Sequence, residues 1–301
     1  MRIHSKLVPG LFLAVALPVH AALNIFSCEP EWQSLASQLA PSAKTFSATT
    51  ALQDPHQIQA RPSLIAQMRK ADLAICSGAE LEVGWLPMLQ MKSANPKVQS
   101  TRKGLFYAAD HVETIDKLDS VSPMMGDVHP GGNPHLHLDP YRLQQLSHDL
   151  GERMASIDKP MAQQYRRNAQ AFAELWQRKI GEWENRAKGL KGKNVVAYHS
   201  SFDYLFRWLG INKIGDLEPK PGLPPSASHL AYLLAMSRDQ KVDAVVYASY
   251  QDSEGAQWLG EKIGVPVVEL PFSVGGNAES TDLVSLYDNL INKLIAATAA
   301  K

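Results

Sequence analysis

One amphipathic segment in the middle of the chain constrains the fold more than any other feature. From Pro160 onwards, polar residues separate apolar ones that recur at spacings of four and three: Met161, Tyr165, Ala169, Phe172, Trp176, Ile180, Trp183, Ala187 and Leu190. This period predicts a single helix of about 30 residues, roughly 45 Å long. A coiled coil has a similar period, but the tryptophans and polar interruptions favour a helix that packs across two globular halves.

Short apolar strands alternate with helices on both sides of this segment. The predicted strands are "LNIFSC", "KTFSATT", "ADLAIC" and "LFYA" before it, and "NVVAYH", "VDAVVYA" and "VPVVEL" after it. Such alternation is typical of parallel sheets covered by helices. We therefore predict an α/β protein of two lobes, residues 22–157 and 191–301, each a mostly parallel sheet flanked by helices. One long backbone helix, residues 158–190, joins them, and ligands are expected in the cleft at the carboxyl ends of the strands.

The first 21 residues have the pattern of a secretory signal peptide. Arg2 and Lys6 precede the apolar run "LVPGLFLAVALPV", and "VHA" places small residues before a cut after Ala21. The apolar run is too short to span a membrane. Cleavage removes two basic residues and no acid, so the formal charge changes from zero to −2. We expect a periplasmic location, and nothing in the composition favours binding to nucleic acid.

Cys28 and Cys76 are the two cysteines of the chain, and an exported chain meets an oxidising compartment. Each lies at the carboxyl end of a predicted strand. In a doubly wound sheet of order 2-1-3 those strands are neighbours, close enough for a disulfide bond. A Cys28–Cys76 disulfide is therefore expected, with two separate buried thiols as the alternative. Lipid attachment at Cys28 is disfavoured, because this residue lies beyond the best cleavage site and inside a predicted strand.

Three histidines lie at predicted strand ends or in the loops that follow them. They are His56 in "QDPHQIQARPS", His135 in "NPHLHLDP" and His199 in "VVAYHSSFDYL". We expect all three to face the cleft between the lobes. A neutral imidazole binds zinc through one nitrogen, so zinc is the first expectation. Manganese is the alternative if carboxylates complete the coordination shell.

Two neighbouring histidines each have two interpretations. His137 shares a face with His135 if the stretch is extended, and would then be a second ligand. We favour a packed or exposed histidine beside the site. His129, in "GDVHPGGNP", is either a residue that captures metal transiently or a solvated loop residue.

Four motifs carry a resemblance to a known family. The segments "DPHQIQARPS", "GGNPHLHLDP", "VVAYHSSFDYLF" and "PGLPPSASHLAYLL" resemble, in order and spacing, the signatures of the cluster A-I solute-binding proteins of ABC transporters, which bind zinc or manganese in the periplasm. The resemblance implies two α/β lobes bridged by a rigid helix, with His56, His135 and His199 as ligands of a transported Zn(II). A manganese or iron receptor of the same family is the alternative.

The resemblance also implies partners. The bound ion would be delivered to the membrane permease of an ABC transporter, and a periplasmic metallochaperone is a further candidate partner. We expect the chain itself to be a monomer.

The fourth ligand is where the sequence departs from the family pattern. Many relatives place Asp or Glu on the loop after the last strand, which here is "LPFSVGGNAESTDL", with Asn277 near the usual carboxylate position. An amide oxygen is a poor substitute for a carboxylate on zinc. The expected fourth ligand is therefore Glu279, with Asp282 or water as alternatives.

A zinc hydrolase is the remote alternative function. The His-x-His-x-Asp pattern at residues 135–139 occurs in metallo-hydrolases, where an open metal position lowers the pKa of bound water to about 7. Metallo-β-lactamase-like enzymes follow the Asp with a ligating His, whereas Pro140 stands here. Amidohydrolases place the histidine pair after the first strand of a barrel, whereas this pair is mid-chain. We expect no enzymatic activity and assign no catalytic residue.

Overall fold

The structure, a computed structural model, describes residues 22–100 and 102–299, so the predicted signal peptide, residues 1–21, lies outside the described residues. The strands are β1 (Asn24–Ser27), β2 (Lys44–Ser47), β3 (Leu73–Cys76), β4 (Leu105–Tyr107), β5 (Asn194–Ala197), β6 (Asn212–Asp216), β7 (Ala244–Ala248) and β8 (Val267–Leu270). The α-helices are α1 (Pro30–Leu39), α2 (Pro62–Lys70), α3 (Leu86–Ser93), α4 (Pro140–Ile157), α5 (Ala162–Ala187), α6 (Asp203–Leu209), α7 (Ala227–Asp239), α8 (Glu254–Ile263) and α9 (Leu283–Ala299).

The two halves of the chain form two sheets with the same topology. Each has four strands, in the orders β2-β1-β3-β4 and β6-β5-β7-β8, and the pairings are parallel. The predicted α/β fold of two lobes is confirmed. The exact limits of the lobes, 157/158 and 190/191, stay a prediction.

Strand β6 was missing from the sequence prediction. Its sequence, "NKIGD", contains one apolar side chain, Ile214, so it lacks the apolar run that marks a buried strand. It lies at the sheet edge, and its pairing with β5 shifts register between Val195 and Val196. An edge strand has one side open to solvent, so it is not required to be apolar.

Helix α5 is the long helix that the apolar period predicts. Short 3-10 turns, Lys159–Met161 and Lys188–Leu190, extend it at both ends. Its buried side chains are Tyr165, Ala169, Phe172, Trp176, Ile180, Trp183 and Ala187. They belong to one hydrophobic core that continues through α1 and α4 of the first lobe and α6 and α9 of the second. None of the helices described here is long and apolar enough to cross a membrane.

The expected disulfide bond is present. Cys28 and Cys76 are joined across the neighbouring strands β1 and β3, with their Cα atoms 4.8 Å apart. Both residues are fully buried. The bond fixes the carboxyl ends of these two strands, at the edge of the sheet that faces the cleft.

Two carboxyl groups are buried behind the turn that follows β3. The backbone N–H of Ser77 donates to Glu82 Oε1 at 2.7 Å, and that of Gly78 to Glu82 Oε2 at 3.1 Å. Burial raises the pKa of Glu82 to about 7, although these backbone donors oppose the change. Burial and the negative charges of Glu82 and Glu31 raise the pKa of Glu29 well above its ordinary value. The pair therefore keeps a proton in the folded chain.

This pair predicts a pH dependence of stability. Folded Glu82 retains its proton to about pH 7, whereas an unfolded glutamate loses it near 4.5. The free energy of unfolding should therefore fall by roughly 2 to 3 kcal/mol as the pH rises through this interval. Glu82→Gln keeps an oxygen acceptor for Ser77 and Gly78, and should make the slope shallower in urea unfolding at pH 5 to 8. The exposed Glu261→Gln should keep the wild-type slope. Equal slopes in all three proteins would contradict the prediction.

Candidate metal centre

The structure brings His56, His135 and His199 together. His56 lies on the loop between β2 and α2, His135 precedes a 3-10 turn before α4, and His199 follows β5. One ring nitrogen from each lies within 4.8 Å of the others, and the ring centroids are 5.9 to 6.0 Å apart. Two of these imidazoles therefore come from the first lobe and one from the second.

Carboxylates orient two of the three rings. Asp54 Oδ1 lies 2.7 Å from His56 Nδ1, and Glu218 Oε2 lies 2.7 Å from His199 Nδ1. A carboxylate accepts the hydrogen bond, so each Nδ1 carries the proton and each Nε2 keeps the lone pair that can bind a metal. In this structure Nε2 of His56 lies 3.1 Å from His129 Nε2, and Nε2 of His199 lies 3.3 Å from Ser200 Oγ. Metal-ligating histidines typically have such a carboxylate partner on the opposite nitrogen.

These two acids were not assigned from the sequence. The position of Asp54 could have been recognised from the sequence, because "DPH" favours a turn in which Asp accepts a hydrogen bond from the residue two positions on. Its carboxylate does accept from the backbone N–H of His56, at 3.0 Å. Burial alone would raise the pKa of Asp54, but the hydrogen bonds and charge of His56 outweigh it and lower that pKa. Glu218 is 19 residues from its partner His199, so no short motif marks it.

His135 is the most deeply buried of the three ligand candidates, at 1% exposure. Within the described part of the chain, neither of its ring nitrogens has a hydrogen-bond partner. Burial, followed by the charges of His56 and His199, lowers the pKa of His135 well below its ordinary value, so the ring stays neutral. An unpartnered buried polar group costs about 1 to 3 kcal/mol. A metal ion at this point would satisfy one of the two ring nitrogens that lack a partner, so the residues present fit a metal.

A cavity of about 240 Å³ opens beside His56 and His199. Its lining includes the carboxylates of Asp54, Asp127, Glu218 and Asp252, and no Lys or Arg is among the described residues that line it. A cleft with acidic walls raises the local concentration of cations. The approach to the three histidines is therefore suited to a cation.

The other polar residues of the His-x-His-x-Asp run serve the fold. Residues Leu136–Leu138 form a 3-10 turn, so His135 and His137 do not share the face that an extended strand would give them. His137 is fully buried; its Nε2 donates to the carbonyl of Phe272 at 2.9 Å, and its Nδ1 lies 3.1 Å from Glu31 Oε1. Asp139 caps α4 by accepting from the backbone N–H groups of the first turn. His137 is thus packed beside the site, and the Asp139 carboxylate is engaged as the cap of α4.

The loop after β8 does not bring the expected fourth ligand to the histidines. Within the described residues, the group of side chains that lies within 4.8 Å contains neither Glu279 nor Asp282. Glu279 is exposed, and Asp282 Oδ1 accepts from the backbone N–H of Ser285 at 2.7 Å, at the start of α9. Asn277 is held by Ser280 and Asn289. Glu279 and Asp282 are therefore not among the side chains that the structure brings to the histidines, because the polar side chains of the loop bond within the loop and to α9.

His129 lies beside the three histidines and is half-buried. Its Nε2 is 3.1 Å from His56 Nε2, and the ring centroids are 5.2 Å apart. Burial, followed by the charge of His56, lowers the pKa of His129 to about 4. His129 is therefore not a solvated loop residue, because its ring is half-buried against His56.

The chain is similar to known zinc proteins over most of its length. Residues 25–297 match the protein-family model for ZnuA, the zinc-uptake complex component A, periplasmic. The zinc-binding lipoprotein AdcA of Streptococcus pneumoniae is 22% identical over 215 residues, which are 70% of this chain and 42% of AdcA. The high-affinity zinc uptake system protein ZnuA of Brucella abortus is 26% identical over 96 residues, 32% of this chain and 29% of that protein. The chain thus matches less than half the length of these two relatives.

Solved structures share the fold. The crystal structure of ZnuA superposes with a TM-score of 0.77 at 20% identity, covering 92% of this chain and all of that chain. A Mn-bound periplasmic metal-binding protein from Candidatus Liberibacter asiaticus gives a TM-score of 0.73 at 16% identity, covering 91% of this chain and 98% of that chain. The resemblance to cluster A-I solute-binding proteins is confirmed. Because the family model matches residues 25–297, the chain belongs to the ZnuA family of periplasmic zinc-uptake complex components.

Proposed function

We propose that this chain is a periplasmic solute-binding protein that captures Zn(II) with His56, His135 and His199. It then delivers the ion to the membrane permease of an ABC transporter. The observation that carries the proposal is the buried His135 ring, whose two nitrogens have no hydrogen-bond partner. One of them lies within 4.8 Å of a ring nitrogen of His56 and of His199. Carboxylates bond to Nδ1 of both these rings, which leaves Nε2 as the ligating atom.

The ligand set favours zinc over manganese or iron. The three side chains within 4.8 Å of one another are all imidazoles, whereas the acids Asp54 and Glu218 bond to the far nitrogens of the rings. Imidazole is a preferred zinc ligand, and manganese favours carboxylate and other oxygen ligands. A receptor for manganese or iron would need a carboxylate that the described site does not place among the three rings.

The position of the site favours a carrier over a hydrolase. His199 belongs to the second lobe, while His56 and His135 belong to the first, so a displacement of one lobe breaks the metal shell. Of the polar residues in the His-x-His-x-Asp run at 135–139, which resembles hydrolase metal sites, only His135 belongs to the group of three. His137 bonds to the carbonyl of Phe272, and Asp139 caps α4. A carrier needs such a shell, because it must hold the ion until a partner opens it.

Metal binding by the purified chain tests this proposal. Native mass spectrometry with metal analysis should show one zinc per chain, retained in competition with equimolar Mn(II). Excess EDTA should remove the zinc while far-UV circular dichroism stays unchanged, because the hydrophobic cores of both lobes form without the site. Loss of the fold on chelation would indicate a structural metal instead. Absence of stoichiometric zinc, or a preference for manganese, would refute the zinc proposal.

A further inference from the structure

We propose that His129 is the fourth zinc ligand and closes the site at the mouth of the cleft. This inference rests on the proposed function. Zinc sites that hold their ion without catalysis are almost always four-coordinate, and three imidazoles leave one position to fill. The loop after β8, which carries the expected Glu279 and Asp282, does not place them among the three rings.

The spacing of two ring nitrogens supports His129 in this role. Its Nε2 lies 3.1 Å from Nε2 of His56, whose Nδ1 is bonded to Asp54. The His56 Nε2 is therefore the ligating atom. Two nitrogens on one tetrahedral zinc lie roughly 3.3 Å apart, because each is about 2.0 to 2.1 Å from the ion. The two imidazoles are thus spaced as ligands of a shared ion.

The loop of residues 124–132 holds His129 across the cleft. On the side of the second lobe, the backbone N–H of Asp127 donates to the carbonyl of Pro221 at 2.9 Å, and Lys220 Nζ donates to the carbonyl of Met124 at 2.8 Å. Gly126 has φ +88°, and a Cβ there would lie 2.4 Å from the Pro221 carbonyl oxygen. A residue with a side chain would prevent this close approach.

The same loop is anchored to the first lobe. The hydroxyl of Thr114 donates to the carbonyl of Gly131 at 2.6 Å, and the backbone N–H of Leu118 donates to that of Pro130 at 3.2 Å. The loop therefore spans the mouth of the cleft from one lobe to the other. Its contact at Pro221 lies three residues from Glu218, which orients His199.

The order of burial indicates how an ion would enter. The His56 and His199 side chains, which line the acidic cavity, are 10% and 7% exposed, whereas His135 is 1% exposed, so an ion that enters through the cavity meets His56 and His199 before His135. His129 is not part of the group within 4.8 Å. Its ring must therefore move inward once the ion reaches His135 and His199, and this movement closes the shell.

The test compares His129→Ala and His129→Asp with wild type, all loaded with Zn(II) or Co(II). X-ray absorption of the zinc forms should fit four imidazoles in wild type and three in both variants. Zinc release to a chelator should be at least about tenfold faster in His129→Ala, since loss of an outer-sphere partner alone costs 10–100-fold in affinity. His129→Asp supplies an oxygen ligand from the protein, so it should restore slow release, while its Co(II) form stays four-coordinate. A merely structural histidine would not be replaced by aspartate.

His148→Ala is the matched control, because the side chain of His148 is 73% exposed on α4. It should match wild type in imidazole count and release rate. If His129→Ala also matches wild type in both measurements, His129 is no ligand, while the three-histidine site stands. If wild type itself binds no zinc, the proposed function and this inference both fail. The two failures are therefore distinguishable.

Discussion

Replacement of His135 by alanine is expected to lower the zinc affinity of the chain by about 1000-fold or more. Loss of an outer-sphere partner already costs 10–100-fold, and His135 is the central candidate ligand, with both ring nitrogens orphaned. The apo protein should lose little stability, because the substitution also removes a desolvated polar group that has no partner. Competition titration with a zinc chelator measures the affinity, and urea unfolding of the apo form measures the stability.

His137→Ala is the control for this variant, and the opposite pattern is expected. His137 lies two residues away and is equally buried, but its ring bonds to Phe272 and contacts Glu31. Its removal should lower the free energy of unfolding by roughly 2 to 4 kcal/mol and leave one zinc per chain bound. If His137→Ala lost zinc while His135→Ala kept it, the roles assigned to the two histidines would be reversed.

The sequence could predict those features whose cause is local or periodic. The spacing of four and three in residues 161–190 marks α5, because apolar residues at that period share one face of a helix. Cys28 and Cys76 stand at the ends of two apolar strands, so their pairing follows from strand order. The three candidate ligand histidines follow a strand or lie in the loops at the cleft, where parallel sheets place their ligands.

The parts of the site that could not be predicted depend on long-range contacts. Glu218 reaches His199 through the return of the chain along β6, a strand with too few apolar residues to recognise. His137 was ambiguous because its role depends on Glu31 and Phe272, which are distant in sequence. The loop that carries Glu279 is held to α9 by the bond from the Asn277 side chain to Asn289, 12 residues away. None of these contacts has a signature within a short window of sequence.

A cluster of aromatic side chains connects the long helix to both lobes. Trp176 on α5 is fully buried; its ring lies 5.1 Å from Phe172 and 5.2 Å from Tyr287 of α9. Its indole N–H donates to the carbonyl of Pro140, at the start of α4, at 2.8 Å. The hydroxyl of Tyr287 donates to the carbonyl of His137 at 2.7 Å. The cluster therefore links the second lobe to the segment that carries His135.

Replacement of Trp176 by alanine should consequently destabilise the whole chain by about 3 to 5 kcal/mol, the usual cost of emptying a large aromatic site in a core. Trp176→Phe keeps a ring in contact with Tyr287 and loses the bond to Pro140, so it should cost about 1 kcal/mol beyond the change in packing. Trp258→Ala on α8 is the control, since this side chain is 36% exposed. Urea unfolding of the apo proteins gives the free energies.

Because the core is continuous across both lobes, the unfolding of Trp176→Ala should remain one transition with a lowered midpoint. Separate unfolding of the two lobes, or a loss no larger than that of Trp258→Ala, would show that the helix does not couple them.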